Sequence, residues 1–156
     1  AASGKVNVRL LDACLTEPFF RAPAPKSTGR ELFNLAWVER RLEHAGEVSD
    51  IDVQATLAEL SATTIAAAIR VELPAGREVI VCGGGAHNVD LLNRLRRITG
   101  ARVTTTEAYG VGPDWVEGAA FAWLARARMR GLPGSIPTVT GARRPAVLGG
   151  VYLGKS

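Results

Sequence analysis

Three consecutive glycines interrupt the stretch Glu78-Val-Ile-Val-Cys-Gly-Gly-Gly-Ala-His-Asn88, and few backbone paths fit both sides of that interruption. Residues 79–82 are apolar and largely β-branched, which predicts a buried strand running into a loop. Beyond the loop, Asn88 suits a helix cap, Leu91, Leu92 and Leu95 recur at helical spacing, and Gly100 suits the position just past the helix. Glycines at such a bend let a ligand approach the backbone, and free amides at a helix start favour phosphate or another anion. A tight strand-to-helix turn with no ligand has the same local pattern. A Walker loop is excluded, because Ala86-His-Asn88 follows the glycines and no lysine is placed to reach a terminal phosphate. A dinucleotide fingerprint is also disfavoured, since Asn88 stands where its third glycine belongs.

The remaining chain must supply a core around this unit. Of 156 residues 47% are hydrophobic, enough for one globular domain over residues 1–156. No apolar run approaches the roughly 18 residues of a membrane span, and no basic-then-apolar leader pattern opens the chain, so no membrane partner is expected. The 2 cysteines, Cys14 and Cys82, lie among apolar neighbours without CxxC spacing. They read as reduced core residues of a cytoplasmic protein, with neither a metal nor a disulfide indicated. The formal charge of +4 raises nucleic acid as a partner. However, the arginines fall late in expected helices, where they complement helix dipoles, and no aromatic residues alternate with them to stack bases. Nucleic acid is therefore not expected.

Asn7 followed by Val8, Leu10, Leu11 and Leu15 predicts a short amphipathic helix ending before Pro18. The first residue is not methionine, and a piece of a longer sequence is the expectation. After an extended proline segment at 21–25, Lys26-Ser-Thr-Gly-Arg-Glu31 predicts a helix start, with Ser27 or Thr28 as cap and Glu31 in the first turn. That helix would carry Leu32, Phe33, Leu35, Ala36, Trp37 and Val38 inward. Lys26 and Arg30 beside two hydroxyls also suit an anionic or sugar site, and the local sequence leaves both roles open. A long helix is predicted from Asp50 or Asp52 to about Arg70, with Val53, Leu57, Leu60, Thr64, Ala68, Ile65 and Ile69 inward. Pro74 and Gly76 end it, and a second strand is predicted over 101–106. Asp114 with Glu117 three positions on has the spacing of a capping box for a helix to about Arg130. Trp115, Ala119, Ala122 and Trp123 would form its apolar face. A carboxylate at that helix start also suits sugar hydroxyls. The tail is loop-rich, with one strand candidate at Val147 and Leu148. The alternation of helices with strands ending in glycine loops predicts an α/β architecture, helices covering a mixed or parallel sheet.

Five ordered segments resemble the C-terminal part of the anhydro-N-acetylmuramic acid kinase family. They are Pro25-Lys-Ser-Thr-Gly-Arg-Glu-Leu-Phe-Asn34, Asp52-Val-Gln-Ala-Thr-Leu-Ala-Glu-Leu60, Val81-Cys-Gly-Gly-Gly-Ala-His-Asn88, Pro113-Asp-Trp-Val-Glu-Gly-Ala-Ala-Phe-Ala-Trp123 and Thr140-Gly-Ala. The resemblance implies the C-terminal lobe of an actin- and hexokinase-like (ribonuclease H-like) kinase, in which two lobes close on ATP and a sugar. It implies ATP-dependent phosphorylation of O6 of 1,6-anhydro-N-acetylmuramic acid, with opening of the anhydro ring by water, to give N-acetylmuramic acid 6-phosphate in peptidoglycan recycling. ATP and Mg²⁺ are the implied cofactors. The family's glycine loop corresponds to Gly83, Gly84, Gly85 and Asn88 as nucleotide contacts, and its Asp-Trp-Val-Glu motif places Glu117 at the sugar. Lys26, Thr28 and Arg30 are carried as further sugar-side candidates. Gly118 stands where many members have alanine. The family's catalytic aspartate and its Gly-Thr-Ser-x-Asp-Gly phosphate loop have no counterpart in these 156 residues. No catalytic residue and no metal ligand is therefore assigned to this chain, and by itself it is expected to be inactive. The implied partners are an amino sugar, ATP and the N-terminal lobe, with a homodimer among the arrangements open to it. The competing reading is a non-catalytic module that binds a nucleotide or docks on a subunit supplying the other lobe.

Overall fold

The structure is a computed structural model and describes residues 1–152 and Gly154. Its centre is a β-α-β unit: β1 (Glu78–Val81), α5 (Val89–Thr99) and β2 (Arg102–Thr105). The two strands pair in parallel, with Val79 opposite Val103 and Val81 opposite Thr105. Side chains alternate along a strand, so this register puts Val79, Val81 and Val103 on one face. There they pack with Leu91, Leu92, Leu95 and Ile98 of α5 and with Ala62 of α4 (Asp50–Glu72). The other face carries Ile80, which is half exposed. β1 is therefore covered on one side only, where the sequence predicted a buried strand. Parallel strands normally have both faces covered, so a half-covered pair is a departure from the usual arrangement.

Capping decides where the helices start. α1 (Val8–Leu15) begins at Asn7, whose side chain accepts the Leu10 N–H, and α5 begins at Asn88, whose side chain accepts the Leu91 N–H. Gly100 closes α5 at φ 68°, a left-handed position that a Cβ would strain. Ser49 caps α4 through the Asp52 N–H, and Asp50 and Asp52 sit in its first turn, where they complement the helix dipole. Ser49→Ala should therefore lower the unfolding free energy by about 1 kcal/mol in urea denaturation, while Ser49→Gly should lower it by only a few tenths.

The 23-residue α4 is the spine. Its buried positions are mostly small, Ala55, Ala62 and Ala66 together with Thr56, Glu59 and Leu60. The predicted stripe of larger residues is only partly inward, since Ile65 and Ala68 are exposed. Small side chains let α1 and α5 lie close to the α4 backbone, and Thr56 Oγ1 accepts the Asn7 N–H at 2.9 Å. A second cluster gathers Leu10, Cys14, Trp37, Ala45 and Leu60, flanked by Phe20 and Phe33. Phe20 and Phe33 stack at 5.4 Å, and Phe33 meets Trp37 edge-on at 5.1 Å. Burial pushes the Cys14 thiol above its ordinary pKa, as expected of a core cysteine, whereas Cys82 at the end of β1 is exposed.

Three local expectations give way to other contacts. The helix expected from Ser27 or Thr28 starts later, as α3 (Leu35–Leu42), capped by Asn34 through the Trp37 N–H. Glu31 turns back to accept the Gly29 N–H at 2.5 Å, so the preceding residues form a turn, and Leu35 and Ala36 are exposed. α6 (Val116–Met129) buries only Ala127, while Trp115, Phe121, Trp123 and Met129 are at least half exposed. No strand forms at Val147 and Leu148; the neighbouring Ala146 pairs instead with Gly134 and Ser135. Two short helices, α2 (Pro18–Arg21) and α7 (Pro137–Thr140), complete the chain. None of the helices in the described residues is long and apolar enough to cross a membrane.

Candidate functional site

The triple-glycine bend lies at the C-terminal end of β1, the end at which parallel α/β sheets present their ligand crevices. Gly83 has φ 72° and ψ −173°, a conformation open in practice only to glycine, and it redirects the chain from the strand into a 3₁₀ turn over Gly84–His87. The bend is pinned from inside by Ala86 N–H to Gly83 O at 2.9 Å and Asn88 N–H to Gly85 O at 3.1 Å. The N–H groups of Gly84 and Gly85 make no hydrogen bond to the described residues. A Cβ built on Gly83 or Gly84 would meet nothing within 4 Å, and one on Gly85 only the tip of Leu91 at 3.7 Å. The Cβ side of the bend is thus open, and two of its backbone donors have no partner among the described residues. Asn88 is committed to the α5 cap, so its side-chain oxygen is already occupied.

The second motif segment docks directly on this bend. Gly83 N–H donates to Pro113 O at 2.9 Å, and His87 Nε2 meets both oxygens of Asp114, at 2.9 and 3.0 Å. Asp114 therefore does not cap α6: the helix starts at Val116 with no side-chain cap, and the capping box expected of Asp114 and Glu117 is not formed. Glu117 is exposed in the first turn of α6, three residues after Asp114, and makes no hydrogen bond or ion pair among the described residues. Local spacing missed the His87–Asp114 pair because its partners lie 27 residues apart and Asp114 has a local reading as a helix cap. Both residues stood inside motif segments, which was the one hint the sequence held.

The residues of the 26–31 segment are engaged differently. Lys26 Nζ donates to the carbonyls of Phe19 and Phe20 at 2.9 and 3.0 Å and sits 5.0 Å from the Phe19 ring centroid, closing the C-terminal end of α2. Thr28 Oγ1 donates to Glu31 Oε1 at 3.3 Å. Backbone N–H groups at Glu31 and Gly29, with the Thr28 hydroxyl, hold the Glu31 carboxyl below its ordinary range. Arg30 is exposed, and no side-chain hydrogen bond or ion pair holds its guanidinium among the described residues. No hydrogen bond or ion pair in the described residues joins 26–31 to the glycine bend or to Glu117. Pro25, just before the segment, lies against the Thr140-Gly-Ala stretch: a Cβ on Gly141 would come 3.0 Å from Pro25 Cγ. Two concavities of about 670 and 810 Å³ lie beside α4, lined chiefly by carbon, as at Phe20, Leu57 and Val71. Neither includes the glycine bend.

Chemically, the bend can accept anion oxygens on two backbone donors, and Glu117 can accept hydrogen bonds from hydroxyls. Among the described residues no group of three or more His, Cys, Asp or Glu side chains gathers to hold a metal ion.

A sequence model of the family described as anhydro-N-acetylmuramic acid kinase matches residues 1–154. Curated relatives bearing that same name are similar throughout. One from Shewanella amazonensis is 52% identical over 150 residues, covering 96% of this chain and 40% of the relative. One from Pseudomonas syringae pv. syringae is 50% identical over 153 residues, covering 97% and 42%. One from Coxiella burnetii is 47% identical over 157 residues, covering 99% and 42%. The chain thus spans about two fifths of the length of the relatives it matches.

Proposed function

The chain belongs to the anhydro-N-acetylmuramic acid kinase family, and on that footing we propose that it forms the C-terminal lobe of an actin- and hexokinase-like sugar kinase. The reaction is ATP-dependent phosphorylation of 1,6-anhydro-N-acetylmuramic acid at O6 with opening of the anhydro ring by water, in cytoplasmic peptidoglycan recycling. The observation that carries the reading is the glycine bend, with two unpartnered N–H groups, held against the segment that bears an unpaired glutamate. Gly83, Gly84 and Gly85 fit ATP, because their outward side is empty and a phosphate could approach the backbone closely. ATP supplies the phosphoryl group; the bend would orient it, and Glu117 would fix the sugar by accepting from its hydroxyls. Arg30 and Thr28 remain sugar-side candidates, Arg30 with the freer side chain; the Lys26 ammonium is already held by two carbonyls. The implied divalent cation finds no ligand set among the described residues. The base that activates water and the first phosphate loop are assigned to the other lobe, and the 156-residue chain by itself is proposed not to turn over.

The test is the full-length protein with ATP, Mg²⁺ and 1,6-anhydro-N-acetylmuramic acid, with the 6-phosphate product identified by mass spectrometry. Glu117→Gln should raise KM for the sugar by about 10-fold or more, as expected when a charged acceptor is lost, and leave KM for ATP close to wild type. Nucleotide binding without any phosphorylated sugar would instead favour a non-catalytic nucleotide-binding module.

A further inference from the structure

We propose that His87 and Asp114 are a positioning pair: together they fix the glycine bend against the start of α6, and so set the distance between bound nucleotide and bound sugar. This rests on the kinase reading above. Two links join the segments, the Gly83 N–H to Pro113 O bond and the His87 ring to the Asp114 carboxylate. They lie on either side of Gly84 and Gly85, whose N–H groups have no partner among the described residues. The pair therefore closes a small frame around the two free donors. Its other end, in the 3₁₀ turn that leads into α6, lies three residues before Glu117.

Stability does not account for the pair. The side chains are 61% and 64% exposed, and a polar contact so open to solvent contributes little to folding. Asp114 also leaves the α6 start without a side-chain cap, although its spacing to Glu117 suits one. A geometry that forgoes a local stabilising contact for a weak long-range one fits a role in alignment. Phosphoryl transfer depends on such alignment, and an ångström of displacement at the reacting centre can cost about 100-fold in rate.

The experiment uses the full-length protein with His87→Ala, Asp114→Ala, the double variant and His87→Gln. Each alanine variant should lower kcat/KM by about 10-fold or more, with the double variant no worse than the poorer single, because one linkage is lost in all three. His87→Gln, whose amide can still donate to Asp114, should recover most of the activity. The thermal midpoint should move by no more than about 3 °C. Hydrogen–deuterium exchange should rise in peptides covering both 83–88 and 113–117 in either alanine variant. Unchanged exchange, single effects that multiply, or wild-type kinetics in His87→Ala would overturn the proposal. If the wild-type protein phosphorylates no sugar, the kinase reading fails, and exchange in the two peptides still decides whether the pair holds them together.

Discussion

Glu59→Ala should lower the unfolding free energy by about 3 kcal/mol, the lower end of the range for breaking a buried ion pair from one side. Glu59 is 8% exposed on α4 and accepts from Arg94 Nη1 at 2.6 Å and from Arg97 Nη2 at 2.6 and 2.7 Å, both on α5. Arg94 is nearly buried too and keeps one other partner, Asp90 at 2.9 Å, while Arg97 is largely in solvent. Removing the glutamate therefore leaves the nearly buried Arg94 with Asp90 as its one carboxylate and its Nη1 without an acceptor, and lets Arg97 rehydrate. Glu59→Gln keeps an acceptor oxygen and the volume, so its cost should be roughly half, and the two variants together separate charge from packing. Urea denaturation at neutral pH reads both. The acid limb gives an independent check. Burial pushes the Glu59 carboxyl upward, but the hydrogen bonds and charges of Arg97 and Arg94 outweigh it and hold the pKa below its ordinary 4.5. A depressed folded-state pKa contributes stability above the unfolded value, and that contribution is lost as pH falls through the folded one. Wild type should therefore lose more stability than Glu59→Gln below about pH 4.5, and the gap between them should narrow. A constant gap from pH 7 to pH 3 would mean that the α4–α5 ion cluster does not act on folding.

Contacts made within one turn were legible in the sequence, and contacts made across the chain were not. Asn88 could be assigned because a side-chain cap needs only an oxygen and an amide three residues away, and Gly100 because the left-handed position past a helix end favours glycine; both form. Asp114 had the same local credentials, but a ring 27 residues upstream competes for its carboxylate and wins. Glu31 was misplaced for a related reason: its carboxylate reaches back to Gly29, and the helix yields its first turn to start at Asn34. Periodicity in α6 predicted an inward face of Trp115, Ala119, Ala122 and Trp123, but among the described residues nothing covers it and all four are exposed. On α4 the eye follows large residues, whereas the helix spacing is set by Ala55, Ala62 and Ala66, whose smallness is the feature that matters. The site divides the same way. Gly83, Gly84, Gly85 and Glu117 came from motif resemblance, while the frame joining their segments required His87 and Asp114 to be seen together.

Gly84→Val should reduce ATP affinity of the full-length protein by about 100-fold or more while leaving the fold nearly as stable as wild type. The reasoning separates conformation from space. Gly83 sits at φ 72°, so any side chain there adds backbone strain of about 1–3 kcal/mol, and a loss of function could be blamed on unfolding. Gly84 is outside the left-handed region and its Cβ would touch nothing within 4 Å, so valine has room in the protein itself. The two methyl groups would fill open space on the same bend as the Gly84 and Gly85 amides, which have no partner among the described residues. A phosphate bound there would have to leave those donors, and losing two charge-assisted hydrogen bonds of about 1.5 kcal/mol each gives roughly the stated factor. Gly100→Ala is the matched control, since it places a Cβ at φ 68° at the far end of α5, away from the bend. It should lower the thermal midpoint through strain of about 1–2 kcal/mol and leave KM for ATP unchanged. Isothermal titration with a non-hydrolysable ATP analogue measures the first variant and thermal unfolding the second. Wild-type affinity in Gly84→Val would show that the nucleotide approaches the protein elsewhere, and Glu117 would then have no nucleotide wall to work against.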